Sequence, residues 1–264
     1  MPGQAFSPAW SGGVVLLIFI ALSIARHADA AAPTALPSAF ATLLLWTPFI
    51  LGGFLLNLAM SFIAMALATV LGTVLGLMEI SPSRLIRLAA GSYMQLFRNT
   101  PWIVILFAVM LLLPFQIPIG NGAHVLIPDW IKATFALSLP VAANVAEIVR
   151  GAVLSIPTGQ WESAESLAFP RWKTLWMIIL PQCIRRMIPP WMNWYAILAL
   201  STPTTAILGV REAVGSAQQA MEASGGRTVL LLPFYLFILA IFFIYIYPIS
   251  RLTLWLERKY AVKG

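Results

Sequence analysis

Glu162 and Glu165 stand three residues apart in a segment of helical character, and they are the nearest this chain comes to a general acid–base pair. Such a pair needs a shared, buried site that drives the two pKa values apart. These two lie in a polar stretch with Arg171 and Lys173 close by, where a solvated or structural role is expected instead. No nucleophile stands beside a base in a legible constellation. The two histidines and the single Cys183 are too scattered to form a metal site by spacing, and Cys183 has no partner for an internal disulfide. No Gly-rich phosphate-binding loop occurs, so ATP binding is not expected in this chain.

A second group of residues could handle a solute rather than transform it. Asn144, Asn193, Tyr195, Ser201, Thr202, Thr204 and Thr205 all lie within strongly apolar stretches. Polar side chains in membrane spans tend to face the protein interior or a water-filled path. Pro203, however, removes a helix hydrogen bond, and neighbouring hydroxyls can satisfy the freed carbonyls. The run Ser201–Thr205 is therefore read two ways, as part of a substrate path or as repair of a kink.

The elements that hold these residues follow from composition. Of 264 residues 60% are hydrophobic and 9% charged, and the mean hydropathy is +0.89. A soluble domain carries about 25% charged residues. The chain is read as an all-α integral membrane protein. Its net charge of +7 does not point to nucleic acid, because the basic residues sit in short loops between apolar spans.

Six spans are expected. Val14 to Ala25, extendable from Trp10 to Ala28, is a first helix or a signal peptide cut after Ala28-Asp29-Ala30; the missing basic n-region favours the retained helix. A Pro- and Ala-rich linker follows to Ser38. Between Ala39 and Met78 no charge occurs; Pro48 and Gly52-Gly53 are expected to separate an interfacial piece from a span at 54–78. Ala64, Ala68, Gly72 and Gly76 are spaced four apart and form a small-residue stripe suited to close helix packing.

The remaining spans are expected at Trp102–Ile119, Ile131–Val149, Met187–Val210 and Thr228–Ser250. The fifth is interrupted by Pro189-Pro190 and Pro203. Between the third and fourth lies a turn-rich loop, and Arg211 to Arg227 reads as a polar loop. Glu147 and Arg150 can pair at i, i+3. With the amino terminus inside, twelve Lys and Arg fall on its side and four on the other, so both termini and the 147–186 loop are placed in the cytoplasm.

That central loop holds eight of the chain's charges. Pro157-Thr158-Gly159 forms a turn, Gln160 to Leu167 two helical turns, and Pro170 opens a second short helix that Pro181 is expected to end. Gly159-Gln160-Trp161-Glu162-Ser163-Ala164, then Ala168, then Ile178-Ile179-Leu180-Pro181 resembles the EAA loop of permease subunits of bacterial ABC importers. The family's spacing is matched throughout. Ser163 replaces an Ala and Ala168 a Gly, which argues against a left-handed backbone at 168. Phe97-Arg98-Asn99-Thr100-Pro101, Ala146-Glu147-Ile148-Val149-Arg150-Gly151 and Leu256-Glu257-Arg258-Lys259-Tyr260 are similar to motifs of the polar amino acid permeases. The stretch that resembles their Lys-Asp-Thr-Ser-Leu reads Leu200-Ser201-Thr202-Pro203-Thr204 and keeps only Thr202, without either charge.

The resemblance implies a type I importer permease: a five-helix core plus one amino-terminal helix, with residues 1–50 ahead of a permease domain at 51–264. It implies a coupling helix carried by Gly159, Gln160, Trp161, Glu162, Ser163, Ala164, Leu167 and Ala168, docking into separate ATP-binding subunits. Trp161, Leu167, Phe169 and Trp172 are its candidate apolar anchors; Trp172 and Trp176 suit the lipid interface equally well. Implied partners are those ATPases, an extracytoplasmic solute-binding protein and a second permease chain in the bacterial inner membrane. No cofactor is implied for this chain, since ATP and Mg²⁺ belong to the partner. Two other readings stay open: a permease of this fold for an opine, peptide or osmolyte, and an ion-coupled secondary transporter, whose only candidate groups, Glu79, Asp129 and Glu147, are peripheral.

Overall fold

The computed structural model describes residues 37–120 and 123–260. The first expected span, with its alternative as a signal peptide, lies outside the described residues. Helix α1 runs unbroken from Ala39 to Glu79, about 60 Å at 1.5 Å per residue. The expected break at Pro48 and Gly52-Gly53 does not occur. An interrupted helix in an apolar medium leaves backbone groups unpaired, which costs more than one proline. Gly53 serves a different purpose: a Cβ there would stand 2.7 Å from the backbone oxygen of Glu212.

Helix α2 (Arg84–Asn99) meets α3 (Trp102–Leu112) at 110° across Thr100-Pro101. The expected third span to Ile119 thus stops short. Pro114 cannot continue the helix, and the chain turns into an antiparallel pair, β1 (Gln116–Gly120) and β2 (Ala123–Leu126), with Ile117 opposite Val125. Helix α4 (Asp129–Leu154) follows. Its Lys132 is fully buried, 3.0 Å from Asp129 Oδ1, with Nζ 3.5 Å from the centre of the Phe115 ring. This ties the start of the hairpin to α4.

Two short helices, α5 (Thr158–Ser166) and α6 (Arg171–Thr174), lead into a π-helical turn at Leu175–Ile179 and then into α7 (Leu180–Ser201). Pro181 is not a stop here. It stands where the π-helical turn passes into α7, inside a helical stretch that runs unbroken from Arg171 to Ser201. Pro189 and Pro190 lie inside α7 without ending it, and the helix tightens to 3₁₀ form over Thr202–Leu208. The expected polar loop after Arg211 contains a helix, α8 (Ala213–Ala223). A 3₁₀ turn at Thr228–Leu230 then precedes α9 (Leu231–Tyr260). Glu212 is buried and starts α8 by accepting hydrogen bonds from the backbone N–H groups of Val214 and Gly215. A carboxylate suits the positive end of a helix.

Among the described residues, three helical stretches are long and apolar enough to cross a membrane: α1, α4 and Thr228–Tyr260. The bent pair α2–α3 makes a fourth if it counts as one span. The chain divides into two compact units, one of Met1–Leu56 with Arg211–Tyr245, the other of Asn57–Val210 with Ile246–Gly264. In the first, Leu43 and Ile50 of α1, Ala217 of α8 and Phe234 and Phe242 of α9 share one core. Arg227 donates to the Pro37 carbonyl and to Thr42 Oγ1.

In the second unit, the small-residue stripe packs within the chain. Ala64 and Ala68 are fully buried. A Cβ on Gly72 would lie 2.6 Å from the Ala142 carbonyl oxygen, and one on Gly76 2.6 Å from that of Ala146. The backbones of α1 and α4 therefore approach as closely as the glycines allow.

Candidate functional site

The 157–181 segment folds as a small knob. Pro157 precedes α5, and its carbonyl accepts a hydrogen bond from the Gln160 N–H at 3.0 Å. At the other end the Phe169 N–H donates to the Ala164 carbonyl (3.0 Å) and the Ala168 N–H to that of Glu165 (2.8 Å). These two bonds define a Schellman cap, whose left-handed position is occupied by Ala168 at φ 57°. The substitution of Ala for Gly does not remove the left-handed backbone, as the sequence suggested; the capping bonds hold Ala there against its preference. Ala168→Gly should therefore stabilise the knob by roughly 0.5–1 kcal/mol, seen as slower proteolysis at 157–170.

The knob has an inner and an outer face. Ala164 is 2% exposed and Trp161 half-buried. Trp161 packs with Leu175 against a small core of Val153, Ile156, Ile179 and Cys183. Its ring rests on that core while part of it stays exposed. Burial raises the Cys183 thiol above its ordinary value, with the nearby Arg186 pulling the other way. Arg186 clamps the base by donating to the Ser155 carbonyl (2.8 Å) and hydroxyl (2.7 Å). Facing outward are Gly159, Gln160, Glu162, Ser163 and Ala168, with Leu167 72% and Trp172 65% exposed. Phe169 is half-buried. Trp172 and Trp176 meet edge to face at 5.3 Å.

The polar residues of the spans separate into two groups. On α7 and its 3₁₀ extension, Thr202 and Thr205 are fully buried. The Thr202 hydroxyl donates to the Ala199 carbonyl and accepts from Asn57 Nδ2 at 2.9 Å, while Thr205 donates to the Thr202 carbonyl. Ser201 and Thr204 donate to the carbonyls of Ile197 and Ser201. The four hydroxyls thus satisfy the backbone around Pro203, as the kink reading anticipates. Tyr195 is buried 3.3 Å from Ser61 Oγ, whereas Asn193 is exposed.

Asn144 belongs elsewhere. It donates to the Pro140 carbonyl at 2.8 Å and borders a polar cavity of about 570 Å³ lined also by Glu79, Gln95, Arg98, Asn99, Glu147 and Arg150. Glu147 pairs with Arg150, as its spacing implied, and also with Arg98 of α2 at 3.4 Å. No local pattern signals this second pair, because Arg98 is 49 residues away and reaches Glu147 only through the packing of α2 on α4. Among the described residues no group of His, Cys, Asp and Glu could hold a metal ion.

A helical membrane protein with an exposed loop knob of this spacing defines a class of transport component. Residues 64–262 match the binding-protein-dependent transport system inner membrane component family, and the chain belongs to it. It is 31% identical over 217 residues to the inner membrane amino-acid ABC transporter permease protein YhdY of Escherichia coli, covering 79% of this chain and 56% of that protein. It is 27% identical to the glutamate/glutamine/aspartate/asparagine transport system permease protein BztC of Rhodobacter capsulatus, covering 94% of this chain and 55% of BztC. The chain therefore spans just over half the length of these two relatives. It is 33% identical to the probable amino-acid ABC transporter permease protein YckA of Bacillus subtilis, with 81% and 90% covered. A crystal structure of an amino acid ABC transporter with histidines superposes with a TM-score of 0.70 at 26% identity, over 83% of this chain and 98% of that one.

Proposed function

We propose that this chain is the membrane-spanning permease subunit of a binding-protein-dependent ABC importer for an amino acid or amino-acid-like solute, with its permease domain at 51–264. It is not a catalyst; ATP and Mg²⁺ are bound by separate ATP-binding subunits. The observation that carries the reading is the knob. Its core is fixed to α4 and α7, and its outer face is free. Glu162, Ser163, Gly159, Gln160, Leu167 and Ala168 form the docking face, while Trp161 and Ala164 hold it in shape. A rigid knob of this kind passes the movement of an ATPase to the spans as a displacement of a whole body. The further partners are an extracytoplasmic solute-binding protein and a second permease chain, identical or related. The protein lies in the inner membrane with the knob and both termini in the cytoplasm, which the twelve-to-four distribution of Lys and Arg supports.

The test is co-expression with candidate ATP-binding subunits followed by capture on this chain. Wild type retains the ATPase, and Glu162→Arg loses it while still inserting in the membrane. Capture that is equal for both proteins would sink the docking assignment.

The solute class rests on the cavity bordered by Asn144, Arg98 and Glu147. A wall with guanidinium and carboxylate groups side by side suits a solute that carries both an ammonium and a carboxylate. Asn193, Ser201 and Thr204, on α7 and its 3₁₀ extension, lie outside this cavity's wall and are further candidates for the path, while Tyr195, Thr202 and Thr205 are buried on the same elements. In proteoliposomes holding the full transporter, Arg98→Gln should raise the KM for amino-acid uptake about tenfold, the worth of one charged hydrogen bond. An unchanged KM would take the cavity off the path.

A further inference from the structure

A cavity of about 700 Å³ lies at the foot of the knob. It is bounded by the last residues of α1, the last turn of α4, and the facing sides of α5 and α6. Since α1 ends at Glu79 and α4 at Leu154, the cavity sits where two membrane-crossing helices stop. The 26 residues of α4 cover roughly the thickness of one bilayer, which sets the end of that helix near the lipid headgroups.

Its walls divide by chemistry. Leu77, Val153, Leu154 and Leu175 give an apolar floor, and Leu154 is 63% exposed at its mouth. Trp161, Trp172 and Arg171 form the upper rim, the residue types that settle between hydrocarbon and water. The Arg171 guanidinium lies 5.8 Å from the centre of the Trp161 ring and makes no ion pair among the described residues. Arg150 also reaches the cavity, although Glu147 already pairs with it. Against these two cations the wall offers one carboxylate, Glu79.

We propose that this cavity binds one anionic phospholipid, with its phosphate at Arg171 and an acyl chain along Leu154, Leu77 and Leu175. Basic pockets at the ends of spans recognise such headgroups, each cation contributing roughly a fivefold preference. The apolar floor selects a lipid over a free phosphate. The lipid would fill the gap between the knob and the spans that carry it. The inference needs the chain to lie in a membrane, but it is independent of what docks on the knob.

The test is native mass spectrometry of the purified full chain with added phosphatidylglycerol or phosphatidylcholine of the same acyl composition. Wild type should retain one phosphatidylglycerol with about fivefold preference over phosphatidylcholine. Arg171→Gln should abolish that preference, while Lys173→Gln, a charge change outside the cavity wall, should keep it. Leu154→Trp, which blocks the mouth and leaves the charges intact, should also lose the bound lipid. Each variant is first shown to elute as a single species. Equal retention of the two lipids by wild type overturns the proposal, as does an unchanged preference in Arg171→Gln. Displacement by millimolar glycerol phosphate, or retention by Leu154→Trp, would overturn the placement of the acyl chain. A chain that captures no ATPase would leave all these readings unchanged.

Discussion

Alanine at both Gly72 and Gly76 should unseat α1 from α4. Each added Cβ would come within 2.6 Å of a carbonyl oxygen on α4, at Ala142 and Ala146, and a backbone atom cannot swing aside as a side-chain tip can. The Val145 and Val149 side chains close the same spaces. Overpacking of this kind costs about 1–3 kcal/mol per site, and the two sites lie on one contact. Together they should exceed ~3 kcal/mol, measured as a fall in the thermal midpoint of the detergent-solubilised chain. Gly52→Ala is the control. A Cβ there meets nothing within 4 Å, so the better helix propensity of Ala should leave the midpoint unchanged or raised. A double variant as stable as wild type would mean that α1 and α4 do not pack this closely.

The second large effect is expected from Ala164→Asp. Ala164 is 2% exposed, and its carbonyl accepts the bonds from Leu167 and Phe169 that close the end of α5. A buried carboxylate without a partner costs several kcal/mol, about 3 or more. A nine-residue helix cannot absorb that loss, since helices this short depend on their packing. The knob should melt while the spans stay folded, giving rapid proteolysis between 157 and 170 together with loss of ATPase capture. Glu162→Arg should lose capture with the knob still resistant to protease. The pair of variants separates a docking contact from the scaffold beneath it. Protease resistance in Ala164→Asp would show that the inner face of the knob tolerates water.

The spacing of Glu162, Ala168 and Leu180-Pro181 makes the knob legible in the sequence, because a capped helix followed by a proline-started helix is local chemistry. The division of its faces was not legible. Trp161 and Trp172 look alike in sequence, and only the core under α5 shows that the first faces inward. Local signals also misled where tertiary contacts outweighed them. Pro48 and Gly52-Gly53 read as a break, yet α1 continues because Gly53 admits the Glu212 carbonyl and an apolar medium penalises open backbone. Ala168 read as an objection to a left-handed residue, yet two capping bonds enforce it. The β1–β2 pair went unseen because an apolar run of this length suits a span end and a strand equally well. The link from Arg98 to Glu147 depends on how α2 lies on α4, which no local pattern encodes.

The π-helical turn at Leu175–Ile179 gives the nine-residue interval after Ala168 a second meaning. A wide turn holds one residue more than an α-helical one, so it acts as a phase shift between the knob and α7. Thr174 and Ile179, five residues apart across the wide turn, are both buried, and Cys183 continues that buried side one α-helical turn later. Taking out a single residue from 175–179 would shorten the segment by little, but it would turn the knob about 100° relative to α7. The heading of the docking face is thus stored as a count of residues, and a change of length by one is a change of direction.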